Sequence, residues 1–187
     1  MNKHIIVIII LFFLSITIVT KPQSLRVGLR YEPGLLFVEQ KNKAEIIPAI
    51  FSLSGNLLVE PREWLNIEFR SGILFLSEEY SGFELGLFAR FKILPTRFYL
   101  VLGINNHTNK GTANNSSGSY DKEILYKSIG IGYKTSSNFN IDLMYYWTDN
   151  KNYAYTLETD WLTYSRIVDK QMNGILKIGF NLSWDIF

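Results

Sequence analysis

Five charged side chains lie at alternating positions of two apolar runs, and they are the residues of this sequence best placed to do chemistry. They are Glu68 and Arg70 in residues 64–76, and Glu84, Arg90 and Lys92 in residues 83–93. Carboxylates beside cations act as general acids and bases, or they pair as ions in a closed interior. Because an isolated buried charge is costly, we favour the second role and predict that Glu68 pairs with Arg90 or Lys92. A catalytic carboxylate is the alternative.

The element that must hold such residues is clearest in residues 176–186, which read LKIGFNLSWDI. Every even position is large and apolar, and the odd positions are small or polar. A period of two places the two sets on opposite faces of a β-strand. Six apolar positions span roughly 33 Å of strand. A tilted strand of that length covers the apolar band, about 25 Å tall, of a transmembrane barrel.

Seven further runs of this kind precede it, beginning near residues 25, 46, 64, 83, 98, 124 and 139. The first is interrupted by Pro33 and Gly34, which predict a β-bulge. Three connections, residues 60–63, 94–97 and 135–138, are short, and residues 106–122 and 149–171 are long connections on the opposite side. Short turns on one side and long loops on the other are typical of membrane barrels. The fold class predicted is all-β, an eight-stranded antiparallel up-and-down transmembrane β-barrel.

The apolar face is uniformly large, whereas the other face holds glycines and hydroxyls among the charges. Its aromatic residues are predicted to form girdles at the membrane surfaces: Tyr31, Trp64, Tyr133, Tyr145, Trp147 and Trp184. Because a narrow interior needs small residues around charged partners, we predict that the apolar face meets lipid. The alternative is a secreted soluble barrel, whose apolar face would point inward and bind a small apolar ligand.

The first 22 residues have the composition of a secretory signal peptide. Lys3 and His4 precede an almost wholly apolar run of about fifteen residues, short of a membrane span. Residues 23–187 are then predicted to form one outer-membrane β-barrel domain. The formal net charge of +2 does not favour nucleic acid as a partner. The sequence has no cysteine, so disulfides and thiolate metal sites are excluded, and we predict no cofactor and no metal site.

On the alternating runs and their connections, the chain resembles the small eight-stranded outer-membrane barrels, the family type of OmpX and the OmpA membrane domain. The resemblance implies a location in the bacterial outer membrane, contact with its lipid and insertion by the barrel-assembly machinery. We expect a monomer with a structural or surface-interaction role. In that family the terminal aromatic residue lies in phase with the lipid-facing row, whereas here that row ends at Ile186 and Phe187 is out of phase.

His107 raises an enzymatic alternative. It lies in the segment NHTNKG, which is faintly similar to the His-x-Ser-Asn stretch of the outer-membrane lipid A deacylases. That family needs a serine two residues after the histidine as nucleophile, with the histidine as base. Asn109 occupies that position here, and the nearby hydroxyl of Thr108 is on the opposite face of a strand. We therefore predict a solvated loop histidine and no enzyme, with a lipid-modifying hydrolase as the alternative.

The second long connection is unusually aromatic. Tyr153, Tyr155, Trp161 and Tyr164 lie there among Thr, Asp and Asn residues. Exposed aromatic rings of this kind can stack on sugars or contact a partner protein. The alternative, which we favour, is that the seventh and eighth strands continue beyond the membrane and the rings pair across them.

Overall fold

The computed structural model describes residues 24–159 and 165–186. The predicted signal peptide, residues 1–22, lies outside the described residues, as do Trp161, Tyr164 and Phe187. Within the described ranges, no helix is long and apolar enough to cross a membrane.

The chain forms ten β-strands in the described ranges. They are β1 (Ser24–Gln40), β2 (Lys43–Arg62), β3 (Leu65–Ser77), β4 (Tyr80–Lys92), β5 (Phe98–Asn109), β6 (Ser117–Ser119), β7 (Lys122–Lys134), β8 (Phe139–Trp147), β9 (Asn152–Thr159) and β10 (Ser165–Asp185). Eight of them, all except β6 and β9, correspond to the eight runs of the sequence.

These eight strands close into a barrel. Each pairs with its neighbours along the chain in antiparallel fashion, and β1 pairs with β10 to complete the ring. The short strand β9 continues the ladder along the first part of β10, and β6 pairs with β9. The predicted all-β, eight-stranded antiparallel barrel is therefore confirmed.

The two ends of the barrel differ. We call the end with the connections at residues 63–64, 93–97 and 135–138 the turn end, and the opposite end the loop end. At the loop end, β1 and β2 meet in a two-residue turn in which Lys41 and Asn42 both have positive φ, 51° and 59°. Positive φ at both central positions suits the twist of a tight hairpin. The register of β1 against β2 shifts between Glu32 and Gly34, where the bulge was predicted.

The outer face of the barrel is apolar. Large side chains on this face are 38–59% exposed, and they come from every one of the eight barrel strands. Val27, Ile73, Leu100, Ile131 and Ile178 are examples. A water-soluble barrel would bury this row, so the secreted soluble alternative is wrong and the apolar face is the one that meets lipid.

The barrel interior is narrow and filled by side chains. Phe88 projects from β4 across the interior faces of Gly86 and Gly103, and a Cβ at either glycine would collide with its ring. Because these two positions are glycine, the narrow interior of an eight-stranded barrel has room for the ring of Phe88.

Candidate functional site

Eight charged side chains from five strands meet inside the barrel, and we call them the interior network. They are Arg30, Glu32, Glu68, Arg70, Glu84, Arg90, Asp142 and Lys177, each at most 7% exposed. Four are cationic and four are anionic, so the network is electrically neutral. Neutrality matters because an unbalanced charge at this depth would be strongly destabilising.

Glu68 joins three strands. One carboxylate oxygen accepts hydrogen bonds from Arg70 Nη2 and Arg90 Nε, both at 2.8 Å. The other accepts a hydrogen bond from Asn56 Nδ2 at 2.8 Å, and the same amide group contacts Asn181. All four neighbours are buried, so Glu68 holds two arginines in the interior at once.

Arg30 and Asp142 form the second junction, between β1 and β8. The guanidinium donates to both carboxylate oxygens of Asp142, one of these bonds measuring 2.9 Å, and its Nε donates to Glu32 at 2.8 Å. Bidentate pairing of this kind fixes geometry as well as charge. Glu32 also lies 3.4 Å from Arg70, whose guanidinium stacks 3.7 Å above the centre of the Phe88 ring.

Glu84 and Lys177 form the third junction. The ammonium group lies 3.0 Å from both carboxylate oxygens. Ser52 and Asn105 donate further hydrogen bonds to this carboxylate, at 2.7 and 2.9 Å. Between this junction and Arg70 the interior has a void of only about 10 Å³, which is room for one water at most.

An apolar plug closes the interior on the loop side of the network. We define it by Leu36, Val38, Leu74, Tyr80, Ile124, Tyr126, Tyr153, Met172 and Ile175, all at most 4% exposed. The hydroxyl groups of Tyr80 and Tyr126 share a hydrogen bond, and the Tyr126 hydroxyl lies 3.2 Å from Met172 Sδ. The plug therefore satisfies these tyrosine hydroxyls internally while presenting apolar rings to the interior.

His107 is not the solvated loop residue that the sequence suggested. It lies on β5, which continues to Asn109 and pairs His107 with Glu84 on one side and Ile124 on the other. The side chain is fully buried, its ring centre lies 4.5 Å from that of Tyr80, and neither ring nitrogen has a hydrogen-bond partner among the described residues. It sits between the network and the plug.

The five charged residues singled out in the sequence divide into two places. Glu68, Arg70, Glu84 and Arg90 all belong to the interior network, and Arg90 Nη2 lies 2.7 Å from Glu68 Oε2. Lys92 instead lies at the turn end, where it pairs with Glu60, and both side chains are partly exposed. It does not reach Glu68.

The predicted girdle residues occupy two levels of the outer face. Trp64, Tyr133 and Trp184 lie close to the turn end, and Tyr145 and Trp147 stack on each other at 6.1 Å near the loop end. Tyr31 belongs to neither level, because β1 continues past Pro33 to Gln40 and leaves Tyr31 in its middle, stacked on Phe180.

The aromatic residues of the loop end also differ from expectation. Tyr153 is 1% exposed and belongs to the plug, so its interpretation as a surface-interaction residue is wrong; β9 runs along β10 and turns this ring inward. Tyr155 is half-buried against Tyr120, with ring centres 5.2 Å apart. Trp161 and Tyr164 lie outside the described residues.

Tyr120 offers a pH-dependent test of the loop end. Its hydroxyl donates a 2.6 Å hydrogen bond to Asp169, and this bond to a carboxylate raises the pKa of Tyr120 to about 12. We expect Asp169→Asn to return that pKa toward 10, measured as phenolate absorbance against a Tyr120→Phe reference. The stability contributed by the raised pKa is present below pH 10 and is lost as the pH rises toward 12. An unchanged titration in Asp169→Asn would contradict this contact.

Two kinds of interior residue were missed by sequence reasoning. Glu32 precedes the bulge at Pro33 and was not counted among the interior charges, although the even positions from Arg26 to Glu32 keep one phase. Phe88 and Tyr146 had no role in the prediction from sequence, yet both rings are buried among the charges, Phe88 3.7 Å from the Arg70 guanidinium and Tyr146 5.0 Å from the Lys177 ammonium. Within the described residues, no group of three or more His, Asp or Glu side chains is arranged to hold a metal ion.

Comparisons with known proteins found matches only among solved structures. No family model matches the sequence, and no curated protein matches it. Among solved structures, the outer membrane protein OprG from Pseudomonas aeruginosa is 11% identical, with 88% of this chain and 97% of that chain covered and a TM-score of 0.47. Ail, the attachment invasion locus protein of Yersinia pestis, is 12% identical, with 87% and 100% covered and a TM-score of 0.46. Neisserial surface protein A is 13% identical, with 84% and 96% covered and a TM-score of 0.43.

The closed antiparallel ring, the apolar outer face and the charged interior together define a transmembrane β-barrel. The fold is the small eight-stranded membrane barrel that the resemblance drawn from the sequence implied.

Proposed function

We propose that this chain is a bacterial outer-membrane protein whose closed barrel supports a surface that meets partners outside the cell. The observation that carries the proposal is the filled interior: a neutral network and an apolar plug lie in series and leave a void of about 10 Å³ between the network residues. An eight-stranded barrel filled in this way holds its position in lipid but offers no path for solutes.

The partner-facing part would be the loop-end extension, which we define as the β1–β2 turn, β6, β9 and residues 165–171 of β10. Its pieces are tied together by side chains: Gln40 donates a 2.9 Å hydrogen bond to Thr156, and Lys41 pairs with Glu158. Lys170 pairs with Glu79 at 2.6 Å, which fixes the extension to the barrel rim. A pre-organised surface loses little conformational entropy on binding, which favours recognition.

We expect no stable channel conductance when the purified protein is inserted into planar lipid bilayers. Because the network and the plug each close the interior, Tyr80→Ala/Tyr153→Ala should remain closed as well, although it weakens the plug. Steady, voltage-independent conductance steps from the unaltered protein would contradict a closed barrel.

Orientation and location follow from the same proposal. A peptide tag inserted between Lys41 and Asn42 should be labelled by antibody on intact cells, whereas a tag between Ser136 and Ser137 should be labelled only after the outer membrane is opened. The protein should be a monomer recovered with outer-membrane lipid, dependent on the barrel-assembly machinery for insertion. Recovery in the soluble periplasm would overturn the location.

We propose no catalytic activity for this barrel. The buried His107 ring lies beneath Tyr80, and Thr108 is on the opposite face of β5, so the pair expected of a lipid A deacylase is not assembled. Mass spectrometry of lipid A from cells with and without the protein tests this proposal, and the loss of an acyl chain that depends on His107 would contradict it.

A further inference from the structure

A basic cavity opens at the turn end of the barrel, away from the network and the loop-end extension. Its volume is about 100 Å³, ten times that of the void inside the network. Five cationic side chains line it: Arg26, Arg90, Lys92, Arg97 and Lys134. They come from β1, β4, the turn between β4 and β5, and β7, so the cavity exists only in the closed barrel.

The charge in this cavity is not balanced, unlike the charge of the interior network. Arg90 is paired with Glu68, Lys92 with Glu60, and Arg26 with Asp185, whose side chain is 59% exposed. Arg97 and Lys134 have no carboxylate within 4.0 Å among the described residues. The positive charges of Arg97 and Lys134 are therefore not neutralised at the mouth of the cavity.

The cavity also holds buried polar atoms without hydrogen-bond partners in the described structure. They are Arg26 Nε, Arg90 Nη2 and Asn66 Oδ1. The two arginines are 9% and 2% exposed. Arg26 Nε lies 2.9 Å from Asp185 Oδ1 and Arg90 Nη2 lies 2.7 Å from Glu68 Oε2, so both nitrogens are ion-paired, but their N–H bonds do not point at these oxygens. Buried N–H donors left in this state favour an added acceptor.

We propose that the turn-end cavity binds a single phosphate group. Planar guanidinium groups recognise phosphate oxygens by charge-assisted, often bidentate hydrogen bonds. Arg26 and Arg90 form the buried floor of the site, and Arg97 and Lys134 close it from the exposed rim. The volume suits one tetrahedral group. The phosphate belongs either to a free ion or to a phospholipid headgroup, because Phe98 of the lipid-facing row also lines the cavity.

The test uses the purified barrel in octyl glucoside, an uncharged detergent without phosphate, titrated with inorganic phosphate. We expect saturable shifts of the backbone amides of Thr96, Arg97 and Lys134 in nuclear magnetic resonance spectra. Arg97→Gln should weaken binding about five- to tenfold, and Arg97→Gln/Lys134→Gln should abolish it. Both residues lie at the exposed rim, so the variants should fold, which heat-dependent gel mobility verifies.

The matched control is Arg62→Gln. Arg62 is an exposed arginine at the same end that does not line the cavity, and its replacement should leave phosphate binding unchanged.

A second titration, with barrels in phosphatidylglycerol and phosphatidylcholine nanodiscs, identifies the source of the phosphate group, because a headgroup site shows the same amide shifts without added phosphate. A response to either source supports the site. No saturable response to either, or equal weakening by Arg62→Gln and Arg97→Gln, overturns it.

Discussion

Replacing Glu68 by Gln is expected to destabilise the folded barrel by about 3–5 kcal/mol, because it leaves two buried arginines without their shared counter-ion. The Glu68 carboxylate is fully buried and accepts hydrogen bonds from Arg70 and Arg90. An amide retains one acceptor oxygen but cannot neutralise either guanidinium. The free energy of unfolding in lipid vesicles, measured by reversible denaturant titration, reports the loss.

Glu60→Gln is the matched control for this substitution. Glu60 pairs with Lys92 at the turn end, where both side chains are partly exposed. Ion pairs screened by water contribute about 0–1 kcal/mol, so Glu60→Gln should change stability little. If Glu68→Gln lowers the free energy of unfolding as little as Glu60→Gln does, water reaches the network and the closed interior is contradicted.

A second substitution should restore part of what Glu68→Gln loses. Arg90→Gln in the same chain returns the network to equal numbers of positive and negative charges. We expect the double variant to be more stable than the sum of the two single losses implies, by at least about 1 kcal/mol, because residues of one network are coupled. Additive losses would show that charge balance does not govern the interior.

The lipid-facing rows could be predicted from the sequence because lipid imposes them. Every outward position within the band must be apolar, and the period of two makes that demand visible along residues 176–186. Beyond the membrane the demand disappears. Asn106 and Thr108 face outward on β5 and His107 faces inward. The apolar–polar alternation therefore stops in the sequence, although the strand continues to Asn109. For this reason the strand end predicted from the sequence came too early, and His107 was wrongly predicted to lie in a loop.

The ion pairs inside the barrel could be only partly predicted from the sequence. Glu68 and Arg90 lie on neighbouring strands, where the hairpin brings them close, so their pairing could be proposed from the sequence. Both remaining pairs join strands that are distant along the chain. Arg30 and Asp142 lie on β1 and β8, which are separated in the ring by β10, and Glu84 and Lys177 lie on β4 and β10, on opposite sides of the ring. Those contacts depend on the stagger of the closed barrel, which no single strand encodes.

Replacing Ile131 by Arg is expected to destabilise the barrel by about 2–4 kcal/mol, the cost of a cationic side chain near the middle of the lipid band. Ile131 is 48% exposed on the outer face of β7. Its cross-strand neighbours are Leu100 and Leu143, so no carboxylate lies directly beside it. Lys127, four positions toward the loop end, is instead exposed and pairs with Asp149 at 2.8 Å, which marks the level at which the band gives way to water.

The same substitution at Ile167 separates the effect of lipid from that of an exposed strand. Ile167 is 60% exposed but lies in the loop-end extension, where β10 pairs with β9. Ile167→Arg should therefore cost less than about 1 kcal/mol, because a surface substitution in water rarely has a large effect. Both variants are compared with the unaltered protein by unfolding in vesicles. A similar small loss at both positions would mean that Ile131 does not face hydrocarbon, and the assignment of the apolar face to lipid would fail.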